Sequence, residues 1–248
     1  MLERFIYGKP LTENGTNSTP DVLAITSGLT AEDTVLCRSL ASVDHMPSTS
    51  DQAVGMFQAS DSNFILARTS YRDHDPEYPL TEYIIVPRDV LQGMSGNIKT
   101  LVEVTETNIS TYQGTYAPLD TLNIPPMPTM AMDKRKTLFQ RLIAHYGDLD
   151  ILFTLLDATV GSQGVQIADY NTPLNERLDM VEAIMLLLPP VMRPDITFTT
   201  HTEKPDIARA LIVFSETPES ALRLRVNGTA PPNQDGWHTR YAAHLAQL

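Results

Sequence analysis

Apolar residues recur along this chain at two spacings, and each spacing predicts one kind of element. In the N-terminal part, short apolar runs end at glycine, proline, asparagine, aspartate or serine, which is typical of strands joined by turns. In the C-terminal half, apolar residues recur mostly every three or four positions, which predicts helices. The strands predicted in the N-terminal part are 3–8, 21–28, 53–60, 63–71 and 81–87.

The segment "TAEDTVLCRSLASV" (30–43) is predicted to be an amphipathic helix between the second and third strands. Thr30 is the expected N-cap, and Asp33 follows three residues later, as in a variant of the capping box. Cys37 is expected to lie in the core. The residues predicted to share the buried face are Val35, Leu36, Ser39, Leu40 and Val43.

The second half is predicted to combine helices with short strands, so the fold class is α+β. Pro173 suits the first turn of a helix, because a missing N–H costs nothing there. The predicted helices are 132–147, 148–161, 171–189 and 235–248, with a shorter one around 88–94. The predicted strands of this half are 164–170, 195–202, 209–215 and 221–228.

Residues 105–132 differ in composition from both halves. This stretch is polar at first and proline-rich over 125–128, which excludes a helix interior. It is interpreted as a linker between two subdomains, 1–104 and 133–248; a long loop inside one domain is the alternative. The first subdomain is expected to hold an antiparallel or mixed sheet with a helix, and the second to be helix-rich with a second small sheet.

The stretch "IMLLLPPVMRPDITFTTHT" (184–202) joins an apolar run to an alternating segment. Two prolines end the apolar run well short of the roughly 18 to 20 residues that cross a bilayer, so it is predicted to be the buried end of a helix. Alternation in the strand that follows places Ile196, Phe198 and Thr200 on one face. The polar face of this half-buried strand is expected to carry Asp195, Thr197, Thr199 and His201.

Charge and cysteine content narrow the class of protein. The net charge of -12 and the pI near 4.8 argue against binding to nucleic acid or to an anionic membrane surface. A single cysteine excludes an intramolecular disulfide and a multi-cysteine zinc site. The start "MLERFIYGKP" is no signal peptide, which predicts a cytoplasmic protein. No metal, no cofactor and no membrane insertion are predicted.

Five residues are candidates for contact or chemistry: Arg72, Asp73, Asp195, His201 and Trp237. His201 beside threonines could serve as a base next to a hydroxyl nucleophile, or it could be a hydrogen-bonded histidine without a role. Asp73 lies in the run "RDHDPE", which offers possible metal ligands but is more typical of a solvated loop. Trp237 could anchor a partner or pack a terminal helix. None of the standard catalytic signatures is present, which favours a protein without enzymatic activity.

Several segments occur in the order found in a known family: "ERFIYGKP", "VLAITSGLTAED", "GMFQASDSNFILARTSYRD", "TEYIIVPRDVL" and "MLLLPPVMRPDITFTTHT". Over approximately residues 3–215 the chain thereby resembles the N-terminal module of the bacterial GTPase-associated protein family. Members of that family are large proteins that work beside a small Ras-like GTPase in NTP-dependent conflict systems. The pattern contains no catalytic residues. It has a glycine-bearing turn and a histidine that "YRDHDPEYPLTEY" lacks, so no role is carried over to Arg72 or Asp73.

By element order alone, the chain is also similar to longin and DENN-type modules, which bind small GTPases. Together the two resemblances imply a non-enzymatic adaptor or scaffold, the N-terminal part of a larger bacterial protein, with other proteins as partners and a Ras-like GTPase among them. The alternative is a hydrolase or nucleotide-dependent enzyme that uses the polar face around Asp195 and His201. A small-molecule site between the two halves is the third possibility.

Overall fold

A computed structural model describes most of the chain, in ten ranges. These are residues 1–10, 19–40, 52–71, 79–107, 118–125, 132–146, 165–168, 172–202, 209–215 and 223–226. The strands are β1 (Arg4–Gly8), β2 (Asp21–Ile25), β3 (Gln52–Gln58), β4 (Asn63–Tyr71), β5 (Pro79–Pro87), β6 (Val165–Ala168), β7 (Phe198–Thr202), β8 (Ile212–Ser215) and β9 (Arg223–Val226). The helices are α1 (Ala31–Leu40), α2 (Arg88–Met94), α3 (Ile98–Val104), α4 (Met132–Tyr146) and α5 (Leu174–Leu187), and Arg193–Asp195 form a 3-10 turn.

The nine described strands form one mixed sheet, which confirms the α+β class. Their spatial order is β2-β1-β5-β4-β3-β7-β8-β6-β9. Neighbours are antiparallel from β2 across to β7, β8 is parallel to both β7 and β6, and β9 is antiparallel to β6. The sheet therefore combines an antiparallel N-terminal part with a mixed C-terminal part.

The strands of the second half extend the first sheet, whereas the sequence predicted a second small sheet. Met56 of β3 pairs with Phe198 of β7, and Gly55 pairs with Thr199. This junction satisfies backbone groups of β3 that would otherwise lie at a sheet edge. The subdomain boundaries at 105–132 stay a prediction, but hydrogen bonds of the sheet join strands from both sides of that stretch.

The two faces of the sheet pack against different helices. On the first face, residues such as Met56, Leu66 and Ile84 form a large core with the buried sides of α2, α3 and α5 and with Leu138 of α4. On the second face, Phe5 and Tyr83 stack with ring centroids 4.7 Å apart and belong to the cluster that includes Cys37 of α1. Alternation along the strands thus supplies both faces with apolar residues.

Helix α1 confirms the predicted cap and contradicts the predicted buried face. Asp33 Oδ2 accepts the backbone N–H of Thr30 at 2.8 Å, and Thr30 Oγ1 accepts the N–H of Asp33 at 3.2 Å, which is a capping box. Thr34 and Cys37 face the sheet, whereas Val35 and Leu36, predicted to be buried, are 56% and 46% exposed. Thr34 can turn inward because its hydroxyl donates to Ala31 O at 2.7 Å.

Other elements differ from the prediction at their ends or in their burial. Helix α3 was not predicted, since its seven residues are too few for a periodic pattern. Pro173 lies at the N-cap of α5 rather than in its first turn. Strand β7 begins at Phe198 and every one of its residues is buried, so the prediction of a half-buried strand is wrong. The helices predicted at 148–161 and 235–248 lie outside the described residues.

Within the described ranges, no helix is both long enough and apolar enough to cross a membrane. Helix α5, whose residues from Arg177 to Leu187 are all buried, has 14 residues.

Phe198→Ala should lower the free energy of unfolding by roughly 3 to 5 kcal/mol, because the ring is fully buried in the core of the first face. Thr199→Ala should cost about 1 to 2 kcal/mol, through loss of the 2.8 Å hydrogen bond from its hydroxyl to His201 O. Urea unfolding of both variants at the same pH measures the difference. Equal losses would contradict the assignment of the two strand faces.

Candidate functional site

Asp195 lies on the surface, outside the strand that was predicted to contain it. It ends the 3-10 turn that precedes β7, and its carboxylate makes an ion pair with Arg88, the first residue of α2. Both side chains are partly exposed, so the pair contributes little to stability. It ties the start of α2 to the turn before β7.

His201 is buried, although the sequence predicted it on a half-exposed polar face. It lies in β7 with 3% of its surface exposed, two residues from the buried Thr199. The shared polar face of Asp195 and His201 is not formed, because Asp195 precedes the strand and is exposed. The other three candidates, Arg72, Asp73 and Trp237, lie outside the described residues, and their roles stay predictions.

Four side chains that the sequence did not single out meet where three helices converge. Lys99 comes from α3, Arg141 from α4, and Asp179 and Glu182 from α5; we call them the carboxylate cluster. Asp179 Oδ1 accepts from Lys99 Nζ at 2.7 Å, and Asp179 Oδ2 accepts from Arg141 Nη1 at 2.9 Å. Glu182 Oε1 accepts the backbone N–H of Lys99 at 2.6 Å. The cluster therefore links α3, α4 and α5.

The burial of α5 explains why these carboxylates need partners. All residues from Arg177 to Leu187 are buried, and most of them are apolar residues of the first-face core. A charged side chain in such a helix must be paired or hydrogen-bonded, because an isolated buried charge is costly. Asp179 meets two cations, and Arg177 donates to Thr200 O of β7 at 2.6 Å.

The two carboxyl groups have different environments. Asp179 bonds directly to an ammonium and a guanidinium group, whereas the described structure shows no cationic side chain bonded to Glu182. The pKa of Glu182 is raised to about 7, chiefly because burial disfavours the charged form. The hydrogen bond from the Lys99 N–H and the charge of Lys99 lower the pKa, whereas the nearby Asp179 and Glu103 raise it. Glu182 is thus a buried group that exchanges its proton near neutral pH.

Helix α3 is held by a buried polar side chain at each end. Its N-cap residue, Asn97, makes no side-chain capping bond, and Glu182 accepts the N–H of the second helical residue instead. At the other end, Arg68 of β4 donates to Val102 O at 2.6 Å and to Thr105 O at 2.8 Å. The guanidinium group of Arg68 complements the helix dipole at the C-terminus, and the carboxyl oxygen of Glu182 satisfies a backbone N–H at the N-terminus.

Arg68 is itself part of a polar group on the first face of the sheet. Its side chain is fully buried and lies 3.6 Å from Glu82 of β5, whose carboxylate also accepts from Arg4 at 2.9 Å and from the hydroxyl of Thr107 at 2.6 Å. Burial lowers the pKa of Arg68, and the charge of Glu82 opposes that shift. These contacts fix α3 on the sheet.

The carboxylate cluster carries a signal in the sequence that was not used. The segment "LDMVEAIMLLL" (178–188) places two acids three residues apart within an otherwise apolar helix. Acids at that spacing share a helix face, and in a buried helix they require partners from other elements. The sequence could therefore have indicated a polar junction, but it could not have identified Lys99 and Arg141 as the partners.

Apart from the buried carboxylate cluster, one feature of the surface is the outward side of α1. Val35 and Leu36 are exposed there, together with Glu32 and Ser39; we call these four residues the α1 outer face. The opposite side of the helix, with Thr34 and Cys37, packs on the sheet. The other large hydrophobic residues that are exposed in the described structure, Met1 and Val191, are not part of α1.

Within the described residues, no group of three or more histidine, cysteine, aspartate or glutamate side chains is arranged to hold a metal ion. Comparison with protein-family models, with curated proteins and with solved structures found no match to the chain. The family suggested by the sequence therefore stays a prediction.

Asp179→Ala should lower the free energy of unfolding by about 3 kcal/mol, because it leaves the partly buried Lys99 without its carboxylate partner. Arg141→Ala should cost less than about 1 kcal/mol, because the Arg141 side chain is 58% exposed and water replaces its contact. Chemical denaturation at pH 7 measures both values. Similar losses in the two variants would mean that the cluster is more hydrated than the structure indicates.

Proposed function

We propose that this chain is a non-enzymatic adaptor or scaffold module that acts through contacts with other proteins. In this proposal it belongs to a bacterial conflict system, and a small Ras-like GTPase is among its partners, bound directly or through another component. The observation that carries the proposal is the α1 outer face.

The orientation of α1 supports a contact surface. Burying a valine or leucine side chain contributes roughly 1.5 to 3 kcal/mol, yet the helix leaves Val35 and Leu36 in water and turns Thr34 towards the sheet. Apolar side chains grouped on an exposed helix face are typical of surfaces that a partner covers. The α1 outer face is therefore the proposed point of contact.

The use of the buried charges also supports an adaptor. Arg68 and Arg177 each join a helix to a strand of the sheet, and Asp179 joins α5 to α3 and α4. These bonds attach the helices of the first face to the sheet and to one another. The sheet in turn supports α1 on its second face. A rigid platform suits a binding module, since little ordering is needed when the partner arrives.

The choice of a GTPase as partner rests on element order. The described elements begin strand, strand, helix and three strands, followed by helices on the opposite face. This is the order on which the similarity to longin and DENN-type modules rests, and those modules bind small GTPases. The similarity to the GTPase-associated family points to the same partner class.

The enzyme alternative required that Asp195 and His201 share one polar strand face. Asp195 is exposed in the turn before β7, whereas His201 is buried within the sheet. Nothing in the described structure favours a hydrolase or a nucleotide-dependent enzyme, and this alternative is not proposed.

Replacing both Val35 and Leu36 by aspartate should weaken partner binding at least tenfold, because the charges would have to be desolvated in the interface. Quantitative affinity capture from the native cells, followed by calorimetric titration of the purified GTPase that is recovered, measures the effect. Val191→Asp is the matched control, since Val191 is 71% exposed and is not part of α1. Thermal unfolding should be the same for all three proteins.

Two results would count against the proposal. If the unmodified protein recovers no GTPase and no other component of a conflict system, the adaptor function is wrong. If the double variant and the Val191 control bind the recovered partner as tightly as the unmodified protein, the α1 outer face is not the contact surface.

A further inference from the structure

Glu182 caps a helix that is far from it in sequence. Its carboxyl oxygen lies 2.6 Å from the backbone nitrogen of Lys99, and Lys99 is the second residue of α3. The residue that should cap this helix, Asn97, instead accepts a hydrogen bond from the hydroxyl of Thr100 at 2.8 Å. The start of α3 is therefore attached to α5 through Glu182.

The charges that face Glu182 come from three helices. Helix α3 brings the ammonium group of Lys99 and the carboxylate of Glu103, α5 brings Asp179, and α4 brings Arg141 next to Asp179. Both cations bond to Asp179, and the only described hydrogen bond to Glu182 comes from a backbone N–H. With 3% of its surface exposed, Glu182 also lacks the water that would stabilise its charge.

We propose that Glu182 is a proton-controlled clamp on α3: the neutral carboxyl group holds the start of the helix against α5, and loss of the proton loosens this contact. The inference is independent of the adaptor function, because it concerns the junction of α3 and α5 and not the α1 outer face.

The geometry explains why the neutral form holds better. A neutral carboxyl group can still accept the N–H of Lys99 through its carbonyl oxygen, and it buries no charge. A carboxylate would make a stronger hydrogen bond, but it would also lie unhydrated near two other carboxylates. Opening the start of α3 gives water access to the carboxylate. The end of α3 stays fixed by Arg68, so the loosening should be confined to the first turn.

The direction of the pH dependence follows from the raised pKa. An exposed glutamate has its pKa near 4.5, whereas that of Glu182 in the closed cluster is about 7. Between these values the closed form binds more protons than the open form, so closing is favoured at low pH and is weakened as the pH rises. Above about pH 7 the weakening is complete, because both forms have then lost the proton.

Hydrogen exchange of the α3 amides at pH 6 and at pH 8.5 tests the clamp. After correction for intrinsic exchange, the opening equilibrium at the start of α3 should rise roughly tenfold between these two pH values. Glu182→Gln keeps an acceptor for the Lys99 N–H and cannot ionise, so its opening should not change with pH. Glu103→Gln is the control that removes an exposed carboxylate of α3. In this variant the opening equilibrium should still rise between the two pH values by most of the amount seen in the unmodified protein. A rise in the Glu182→Gln protein equal to that of the unmodified protein would overturn the proposal.

Carboxyl carbon chemical shifts of the unmodified protein give a second test that needs no variant. The Glu182 resonance should titrate with a midpoint near pH 7, as burial raises its pKa to about 7. A midpoint near 4.5, the ordinary value for glutamate, would overturn the proposal. So would a loss of protection at high pH that is equal in α3, in α5 and in the central strands, since that would be global unfolding and not release of one helix.

Discussion

The constraint on which the arrangement of helices depends is that buried charges need partners. Arg68 extends from the middle of the sheet into the core of the first face, where an unpaired guanidinium group would cost several kcal/mol. It finds carbonyl groups at the C-terminus of α3 and the carboxylate of Glu82 on the neighbouring strand. The position of α3 is thereby fixed by one strand residue, and α3 in turn presents its N-terminus to α5.

Buried arginines that donate to backbone carbonyls also occur around α5. Arg177 near its start donates to a carbonyl of β7, and Arg193 beyond its end donates to Leu188 O at 3.0 Å and to Ser95 O at 2.6 Å, between α2 and α3. Both arginines bond to backbone carbonyls, and those that Arg193 meets lie at the ends of α5 and α2. The helices on the first face are thus attached to the sheet and to one another by named hydrogen bonds as well as by apolar packing.

The two proposals concern opposite faces of the sheet. On the second face, α1 packs through Thr34 and Cys37 and leaves Val35 and Leu36 exposed, which supports a role in protein contacts. On the first face, Glu182 joins α3 to α5 through a group that gains or loses its proton near neutral pH. A change at the carboxylate cluster would therefore alter the helices of the first face and leave the α1 outer face in place.

The sequence by itself determined the elements that depend on local pattern: the capping box of Thr30 and Asp33, the strands β3 and β4, helix α2 and the α+β class. Local hydrogen bonds and the alternation of side chains encode these features, so they can be read from neighbouring residues. Only the tertiary structure decided that β7 joins β3, that α1 turns Thr34 inward, and that Lys99 and Arg141 meet Asp179 and Glu182. Each of these features depends on contacts between residues far apart in the chain. Such contacts exist only in the assembled core, which sets the packing partners and the charged partners of each side chain.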